Sequence, residues 1–566
     1  MNENTNTDVA NNEISSEKEP NVTSEELDGG RSEGTIRFTL RSISQLKDGE
    51  KALSEPCYVR CLPWKILVLI KYREWEQQQQ KGLGVFLQCN ADSKTPGWTC
   101  YGFGELRLLT HHPQKEHLCK KIHHMFHFKE QDWGFAHFIL WKDLMDPENG
   151  YVKDDTIELE AHVAAEAPHG VSWDSKLHTG YIGLKNQGAT CYMNSLLQTL
   201  FFTNIFRKSV YKIPTVGDDS SLSVAFALQR VFHDLQFSNK PVATKKLTKS
   251  FGWESFQSFM QHDVQEFLRV LLDKLESKMK GTAVDGVIPK LFGGRTSSFV
   301  RCRHVSCTST REETFYDIQL SVKGKSNIYE SFSDYVSTEL LEGENKYDAG
   351  EHGLQEAEKG VRFDSFPPVL HLHLMRFHYD PRSDTSLKFN DRFEFYEEID
   401  LGQYVREGGP PLRYTLHAVL VHSGDNHGGH YVVFIDPRAD GKWYKFDDDV
   451  VSRCSKREAI EYNYGGGEDA PYLARKATSA YMLIYIQTSE MSYILQEVSG
   501  EDIPRELRDR IVDEVRYEMV RSSGRKFGFK KNRSDTSVQS VRPSGRIVNA
   551  FRNILHIAGT SRKHED

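Results

Sequence analysis

The chain has 566 residues, of which 38% are hydrophobic and 11% aromatic, which is enough for about two to four globular domains and excludes disorder throughout. Its formal net charge of -8 gives no general signal for nucleic-acid binding. There is no apolar run of about 18 residues and no apolar signal-peptide core, so we expect a soluble intracellular protein without a membrane partner. The nine cysteines are odd in number and scattered, which in a reducing compartment predicts free thiols.

Residues 1–33 are rich in Asn, Glu, Ser and Thr, and we expect them to form a disordered acidic tail. Residues 34–167 contain short alternating apolar runs separated by turn residues, which is typical of an antiparallel β-sandwich. The clearest of these runs are Gly34–Leu40, Trp64–Ile70, Val85–Cys89 and Thr156–Val163.

Beyond a short predicted linker at 168–179, the stretch 183–202 joins a polar, glycine-containing loop to a helical apolar pattern, and Thr190 is placed to cap the first turn. Cys191 therefore lies at a helix N-terminus, where unpaired N–H groups and the helix dipole favour a thiolate. Cys191 is thus a candidate nucleophile. The alternative is a small buried cysteine without chemistry, which is the commoner role of an isolated cysteine. The amide of Asn186 and the backbone N–H of Cys191 are candidate donors to an oxyanion.

A second candidate segment places histidines between two predicted strands, Tyr414–Val421 and Tyr431–Ile435. A glycine-rich turn that leaves a histidine at the start of a strand suits a general base that must reach another segment's thiol. His422, His427 and His430 all satisfy this pattern. Spacing alone does not choose among them, and metal binding is a further alternative.

The run Asp447–Asp449 follows soon after the second of these strands. A buried carboxylate that accepts a hydrogen bond from an imidazole would fix its tautomer and raise its basicity. Runs of aspartate are more often solvated turns, and we expect Asp449 to be one. Asp448 is placed to hydrogen-bond nearby and assist the oxyanion site.

The stretch Asn186–Ser195, Asn-Gln-Gly-Ala-Thr-Cys-Tyr-Met-Asn-Ser, resembles the cysteine box of the ubiquitin-specific proteases, which are papain-like hydrolases that cut ubiquitin from proteins. The resemblance implies that Cys191 is the nucleophile and that Asn186 helps to hold the oxyanion. The family's histidine box ends in Gly-Gly-His-Tyr, which assigns the base to His430 and implies a ubiquitin contact at Tyr431. The same resemblance makes Asp447 the residue that orients His430.

The stretch Phe259–Glu266 resembles a second box of that family. Asp263 and Glu266 are three residues apart and share one helical face, and the resemblance implies that this acidic face receives arginines of the ubiquitin tail. The alternative is a pair of solvated carboxylates that complement the helix dipole.

Three stretches of the predicted sandwich, Val59–Ile66, Phe86–Asn90 and Asp132–Phe135, resemble the TRAF-like (MATH) domain that precedes the catalytic domain in some ubiquitin-specific proteases. This resemblance implies that Arg60, Asp132 and Trp133 bind short serine-containing peptides. Trp133 would offer a flat apolar platform for an added peptide. The alternative is a tryptophan that only packs the edge of the sandwich.

We predict no metal site. A tetrahedral structural zinc site needs four ligands, and Cys302 and Cys307 supply only two, with no second cysteine pair to complete the site. The six histidines between positions 111 and 127 have no consistent ligand spacing, and we interpret them as a solvated helical or loop face.

The sequence therefore predicts a multidomain protein in which an all-β TRAF-like sandwich precedes an α+β papain-like catalytic domain with fingers, palm and thumb. The predicted divisions are a disordered tail (1–33), a TRAF-like domain (34–167), a linker (168–179), a catalytic domain (180–488), and a helical segment with a basic tail (489–566). The resemblance covers roughly Ile36 to Ile503, and we expect no further domain after it.

The predicted function is that of a deubiquitinating cysteine protease that needs no cofactor, recruits substrates through the TRAF-like domain and has ubiquitin and ubiquitinated proteins as partners. A nucleic-acid partner is not expected, and the family favours nuclear and cytoplasmic locations. The alternatives are a protease for another ubiquitin-like modifier and a non-catalytic TRAF-like adaptor. A basic cluster from Lys526 to Arg533 suggests a localisation signal, and Ile547–Leu555 an amphipathic segment.

Overall fold

The computed structural model describes residues 31–75, 78–93, 96–171, 173–252, 263–380, 385–405, 410–424, 428–466 and 478–527. The chain divides into two compact units, Met1–Leu507 and Arg508–Asp566. The predicted disorder of the N-terminal tail and the predicted amphipathic segment at 547–555 lie outside the described residues, as does the basic cluster beyond Phe527. No helix in the described parts of the chain is both long enough and apolar enough to span a membrane.

The first domain consists of nine strands and one short helix. These are β1 (Glu33–Arg41), β2 (Lys51–Leu53), β3 (Cys57–Val59), β4 (Leu62–Trp75), β5 (Gln78–Cys89), β6 (Thr99–Leu108), β7 (Leu118–His127), β8 (Asp132–Leu140), α1 (Trp141–Leu144) and β9 (Thr156–Ala165). One antiparallel sheet has the order β1-β9-β6-β7, and the other has the order β2-β4-β5-β8 with β3 paired to β4. The predicted sandwich is confirmed, although β1 begins at Glu33, inside the predicted tail.

The sandwich core follows from alternation along its strands. In β9, every second side chain from Ile157 to Ala165 is buried, as expected for a strand with one face on the core. Trp64 is fully buried, contacts Phe126 edge to face at 5.0 Å, and donates its indole N–H to the carbonyl of Val59. A Cβ at Gly102 would lie 2.4 Å from the Trp64 ring, so the glycine makes room for the tryptophan.

A series of α-helices follows the sandwich in the described part of the chain. They are α2 (Ser175–Thr179), α3 (Cys191–Phe202), α4 (Asn204–Tyr211), α5 (Val224–Phe237), α6 (Lys245–Ser250), α7 (Val264–Met279), α8 (Val287–Phe292), α9 (Ile328–Tyr335), α10 (Lys456–Ala459), α11 (Met491–Ile494) and α12 (Arg505–Phe527).

The strands of the second domain form a broad sheet, a second four-stranded sheet and three small pairs. They are β10 (Leu184–Lys185), β11 (Val242–Ala243), β12 (Gly294–Cys302), β13 (Thr308–Phe315), β14 (Ile318–Ser321), β15 (Glu339–Leu341), β16 (Tyr347–Asp348), β17 (Leu354–Gln355), β18 (Ala357–Ser365), β19 (Val369–Met375), β20 (Phe377–Asp380), β21 (Thr385–Lys388), β22 (Glu398–Asp400), β23 (Arg413–Gly424), β24 (Gly429–Ile435), β25 (Trp443–Asp447), β26 (Val450–Cys454) and β27 (Thr478–Gln487).

The broad sheet carries the central part of the second domain. Its strand order is β14-β19-β27-β23-β24-β25-β26, with β22 paired to β23, while the four-stranded sheet has the order β13-β12-β18-β15. Helix α3 packs against β24. All twelve residues of α3 are buried, as expected for a helix enclosed on every side. The predicted α+β class is confirmed.

The segment predicted to be a linker is packed between the two domains. His169 forms two backbone hydrogen bonds with Thr99 of the sandwich, at 2.9 and 3.0 Å. The indole N–H of Trp173 donates to the carbonyl of Val451 in β26 at 2.9 Å, and Ser175 begins α2. The two domains are therefore joined by an ordered connection along these residues.

We expect Trp64→Ala to lower the free energy of unfolding of the sandwich by about 3–5 kcal/mol, because it removes a fully buried aromatic side chain and leaves a cavity. Urea denaturation of the full chain, followed by circular dichroism, measures this loss. Trp133→Ala is the matched control, with an expected change of about 1 kcal/mol or less, because that side chain is 45% exposed. Equal losses in the two variants would contradict this account of the core.

Candidate active site

Cys191 is the first residue of α3, at the point where the loop from β10 enters the helix. As the first helical residue, it has no acceptor for its backbone N–H within its own helix. Thr190 occupies the cap position, but the predicted side-chain cap is wrong. Its hydroxyl instead donates to Oδ1 of Asn186 at 3.2 Å and accepts the N–H of Gln187 at 3.1 Å. The threonine therefore shapes the loop and leaves the helix end open.

The pairing of β23 with β24 decides between two of the three candidate histidines. His422 lies in the interior of the sheet, where it is 1% exposed and packs against Tyr431 and Phe377. His430, near the start of β24, is partly exposed. His427 lies outside the described residues. Of the two placed histidines, only His430 reaches both Cys191 and a carboxylate.

Asp447 is the last residue of β25, and its Oδ1 lies 2.6 Å from Nε2 of His430. Because Nε2 is committed to the carboxylate, the other ring nitrogen of His430 remains for the thiol. The sulfur of Cys191 also accepts the backbone N–H of Tyr431 at 3.4 Å. The structure thus brings Cys191, His430 and Asp447 together from α3, β24 and β25.

Charge in this cluster favours an imidazolium. Burial lowers the pKa of His430, but hydrogen bonds to Asp447 and Cys191 outweigh it and raise the pKa to about 10. Burial opposes ionisation of Asp447, yet the positive charge of Lys445 and the hydrogen bonds from His169 and His430 hold its pKa well below the usual range. At neutral pH the site therefore holds a protonated His430 beside an ionised Asp447.

Asp448 fixes the loop that carries Asn186. Its Oδ2 accepts from Nδ2 of Asn186 at 2.8 Å, and its Oδ1 accepts from Nδ2 of Asn194 at 2.8 Å. At the other end of the Asn186 amide, Oδ1 accepts the backbone N–H groups of Gly188 and Thr190. One of the two amide hydrogens of Asn186 is thus used by Asp448, and the second is available to an oxyanion beside Cys191.

Asn194 is a residue that the sequence analysis missed. It lies one turn after Cys191 in α3 and is 2% exposed. The available signal in the sequence was a polar amide within an apolar helical pattern. Such a pattern predicts burial, and buried polar groups are hydrogen-bonded to partners.

Three residues of the same cluster could in principle bind a metal ion. His430, Asp447 and Asp448 present possible ligand atoms within 4.8 Å of one another. Their atoms are engaged with each other and with Asn186 and Asn194. We therefore assign the cluster to acid–base chemistry, and the prediction of no metal stays a prediction.

The predicted ubiquitin contacts differ in accessibility. Asp263 caps α7 by accepting the N–H groups of Gln265 and Glu266, and it also accepts the Tyr481 hydroxyl. Both carboxylate oxygens of Asp263 are thus engaged within the chain, so this residue differs from the solvated carboxylate of the alternative interpretation. Glu266 is exposed on the first turn of the same helix. Residues 259–262 of the predicted box lie outside the described residues.

Tyr431 faces inward. Its side chain is 5% exposed and packs against His422 and Tyr481. The ring therefore packs within the domain, while the backbone N–H serves the Cys191 sulfur, and the ubiquitin contact stays a prediction.

The predicted peptide-binding residues do not form one surface. Arg60 is 3% exposed, and its guanidinium donates to the carbonyls of Ala165 and Arg453, so it ties the two domains together. Its predicted role in peptide binding stays a prediction. Trp133 is exposed with its neighbour Asp132 on β8, which lies at the edge of its sheet.

The ring of Trp133 stacks on His124 with centroids 4.1 Å apart and planes within 1°. His124 lies in β7, so the predicted helical or loop face for the histidine-rich segment is wrong at residues 118–127. A β-strand accommodates these histidines because alternate positions point to opposite faces.

The family model described as ubiquitin carboxyl-terminal hydrolase matches residues 182–485, and the model described as MATH domain matches residues 35–163. The chain is similar to ubiquitin carboxyl-terminal hydrolase 7 of Drosophila melanogaster, with 60% identity over 497 residues that cover 88% of this chain and 43% of that protein. It is 44% identical over 503 residues to ubiquitin C-terminal hydrolase 12 of Arabidopsis thaliana, and the matched residues cover 85% of this chain and 44% of that protein. It is 49% identical over 414 residues to ubiquitin carboxyl-terminal hydrolase 15 of Schizosaccharomyces pombe, and the matched residues cover 70% of this chain and 37% of that protein. The chain spans less than half the length of these relatives.

We expect Gly183→Ala to lower turnover of a fluorogenic ubiquitin derivative by about 10²-fold, because small displacements of catalytic groups cost rates of this order. An added Cβ would lie 2.2 Å from the carbonyl oxygen of Asp448, so the turn after Asp447 would have to move. Gly217→Ala is the matched control, since its Cβ would meet no atom within 4 Å, and its turnover should equal that of the wild type. Normal turnover in Gly183→Ala would contradict the tight placement of this turn.

Proposed function

This chain belongs to the ubiquitin carboxyl-terminal hydrolase family, and from that premise we propose that it is a deubiquitinating cysteine protease. Its proposed reaction is hydrolysis of the amide bond after the C-terminal glycine of ubiquitin. The observation that carries the proposal is the meeting of Cys191, His430 and Asp447, with a 2.6 Å hydrogen bond between the last two.

In the proposed reaction, the thiolate of Cys191 attacks the glycine carbonyl carbon and forms a tetrahedral intermediate. The second amide hydrogen of Asn186 and the backbone N–H of Cys191 stabilise the oxyanion. His430 gives its proton to the departing lysine amine, the C–N bond breaks, and a thioester remains. His430 then takes a proton from water, which attacks the thioester and releases ubiquitin with a free carboxylate. Asp447 keeps the ring of His430 oriented in both steps.

Glu266 is the proposed contact for the basic tail of ubiquitin. The residue is exposed on the first turn of α7, and Tyr481 connects this helix end to the sheet by its bond to Asp263. An exposed carboxylate there suits a basic tail segment of the substrate. We assign the contact with a tail arginine to Glu266, with Asp263 holding the helix end that presents it.

The MATH domain is proposed to bind short peptides of partner proteins along β8. An edge strand offers backbone groups to an added strand, and the exposed Trp133 offers a flat apolar surface beside it. Stacking on His124 holds the indole in one orientation, which lowers the entropy lost on binding. Asp132 supplies an acceptor for a serine hydroxyl or a peptide N–H at the same edge.

We expect Cys191→Ser to lower the kcat for a fluorogenic ubiquitin substrate by roughly 10³-fold or more, because a serine hydroxyl is not ionised at neutral pH. Ubiquitin binding, measured by calorimetry, should remain. Cys119→Ser is the matched control, because Cys119 is exposed on the other domain, and it should keep full turnover. Appreciable turnover by Cys191→Ser would show that Cys191 is not the nucleophile.

Fluorogenic substrates made from other ubiquitin-like modifiers should react far more slowly with the wild-type chain than the ubiquitin substrate does. A preference for one of them would replace ubiquitin as the proposed substrate.

We expect Trp133→Ala to weaken binding of serine-containing peptides to the full chain by about 2 kcal/mol, because an exposed aromatic anchor is lost. Fluorescence anisotropy with a labelled peptide measures the change. Tyr58→Ala is the matched control, since Tyr58 is a similarly exposed aromatic residue on β3. Unchanged peptide binding in Trp133→Ala would place the peptide site elsewhere on the sandwich.

A further inference from the structure

The triad carboxylate is held from both sides. While Oδ1 of Asp447 contacts His430, its Oδ2 lies 3.2 Å from Nζ of Lys445 and 3.8 Å from Nε2 of His169. Nζ of Lys445 also lies 3.3 Å from Oε2 of Glu166. A chain of charges therefore runs from the end of the MATH domain, through Lys445, to the catalytic Asp447.

We propose that Lys445 and His169 are positioning residues for the catalytic triad, and that Glu166 of the MATH domain positions Lys445. This inference rests on the proposed function. It assigns the sandwich a part in the chemistry of its neighbour, in addition to any part in recruiting substrates.

The alternation of side chains along β25 places Lys445 beside Asp447. Lys445 and Asp447 are two residues apart in one strand, so their side chains share a face of the sheet. The side chain of Lys445 is 16% exposed and that of Asp447 13%. Ion pairs at this depth are screened less by solvent than surface pairs, and their loss leaves an uncompensated charge. Lys445 therefore differs from the exposed lysines of the surface.

The MATH side of the chain of charges is fixed by backbone contacts. Glu166 directly follows β9, and its N–H donates to the carbonyl of Tyr101 at 2.9 Å. His169 is held by its two backbone hydrogen bonds to Thr99. Arg60 completes the attachment by donating to Ala165 in one domain and Arg453 in the other. Neither Glu166 nor His169 lies on a free loop, so each can hold a partner side chain in place.

A cavity of about 180 Å³ lies behind the triad at this junction. Its lining includes His430, Asp447, Lys445, Arg60 and Glu166. The carboxylate of Asp447 thus borders open space on one side, where apolar packing alone would not prevent it from turning. The Lys445 ammonium and the His169 ring, both beside Oδ2, restrict that rotation and keep Oδ1 directed at His430.

The test compares the steady-state kinetics of full-chain variants on a fluorogenic ubiquitin substrate at neutral pH. Lys445→Met removes the charge while keeping a similar length, and we expect kcat to fall about tenfold with KM unchanged, because orientation is lost and ubiquitin binding is not. Lys445→Arg keeps the charge and should restore most of kcat. Lys442→Met is the matched control, because Lys442 directly precedes β25, is 69% exposed and does not contact the triad.

The contribution of the MATH domain is tested by Glu166→Gln alone and together with Lys445→Met. If Glu166 acts through Lys445, the single change lowers kcat and adds nothing to the loss in Lys445→Met. His169→Gln should lower kcat by itself. Glu166→Gln preserves the side-chain shape and Lys445→Arg preserves the positive charge, so they report on the mechanism even if Lys445→Met folds poorly.

Several results would overturn the inference: a kcat of Lys445→Met within twofold of the wild type, no rescue by Lys445→Arg, or additive losses from Glu166→Gln and Lys445→Met. An inactive wild-type chain would instead contradict the proposed function. The two failures are therefore distinguishable in one set of measurements.

Discussion

The enclosure of helix α3 is the constraint on which the site depends. All twelve of its residues are buried, and the helix packs against β24, so its N-terminal residue Cys191 has a fixed position relative to the sheet. The ladder between β24 and β25 then determines how far His430 lies from Asp447. Because neither the helix nor the strands can shift without losing buried contacts, the reacting groups are organised before substrate arrives.

This organisation buries the carboxyl groups of Asp447 and Asp448. The side chains around them stabilise their charges by hydrogen bonds and ion pairs. Asp447 is held ionised by the positive charge of Lys445 and by hydrogen bonds from His169 and His430. Burial raises the pKa of Asp448, and the amides of Asn186 and Asn194 act against that rise. A buried charge that lost one of these partners would be destabilised by several kcal/mol. The polar groups behind the nucleophile are therefore as necessary to the site as the nucleophile itself.

The extent to which sequence predicted this site differs between its parts. The loop-to-helix pattern placed Cys191 at a helix start, because apolar periodicity and glycine are local signals. Spacing alone left His422 and His430 open, since both flank the same turn, and the resemblance assigned the base to His430. The sheet supplies the physical reason, because it shows that His422 faces inward. Asn194 was overlooked because its function lies in a partner 254 residues away, Asp448.

Three of the predicted segments have surroundings that no local sequence pattern shows. Arg60 was expected on a peptide-binding surface, but the packing of one domain on the other covers it, and no local pattern reports such an interface. The segment 168–179 was predicted as a short linker, and in the structure His169 pairs with the sandwich and the indole of Trp173 bonds to β26. The resemblance implied a ubiquitin contact at Tyr431, and only the structure shows that its ring packs on His422 and Tyr481. Contacts between distant segments decide each of these cases.

The central claim is that Cys191 is the nucleophile of this chain toward the ubiquitin C-terminus. Treating the full chain with ubiquitin whose C-terminus carries a thiol-reactive electrophile, and locating the adduct by mass spectrometry, tests it most directly. All nine cysteines are free thiols, so the probe has eight other possible targets. The account predicts a single adduct on Cys191 that forms rapidly and is absent from Cys191→Ala. An adduct on another cysteine, or no adduct with an intact probe, would contradict it.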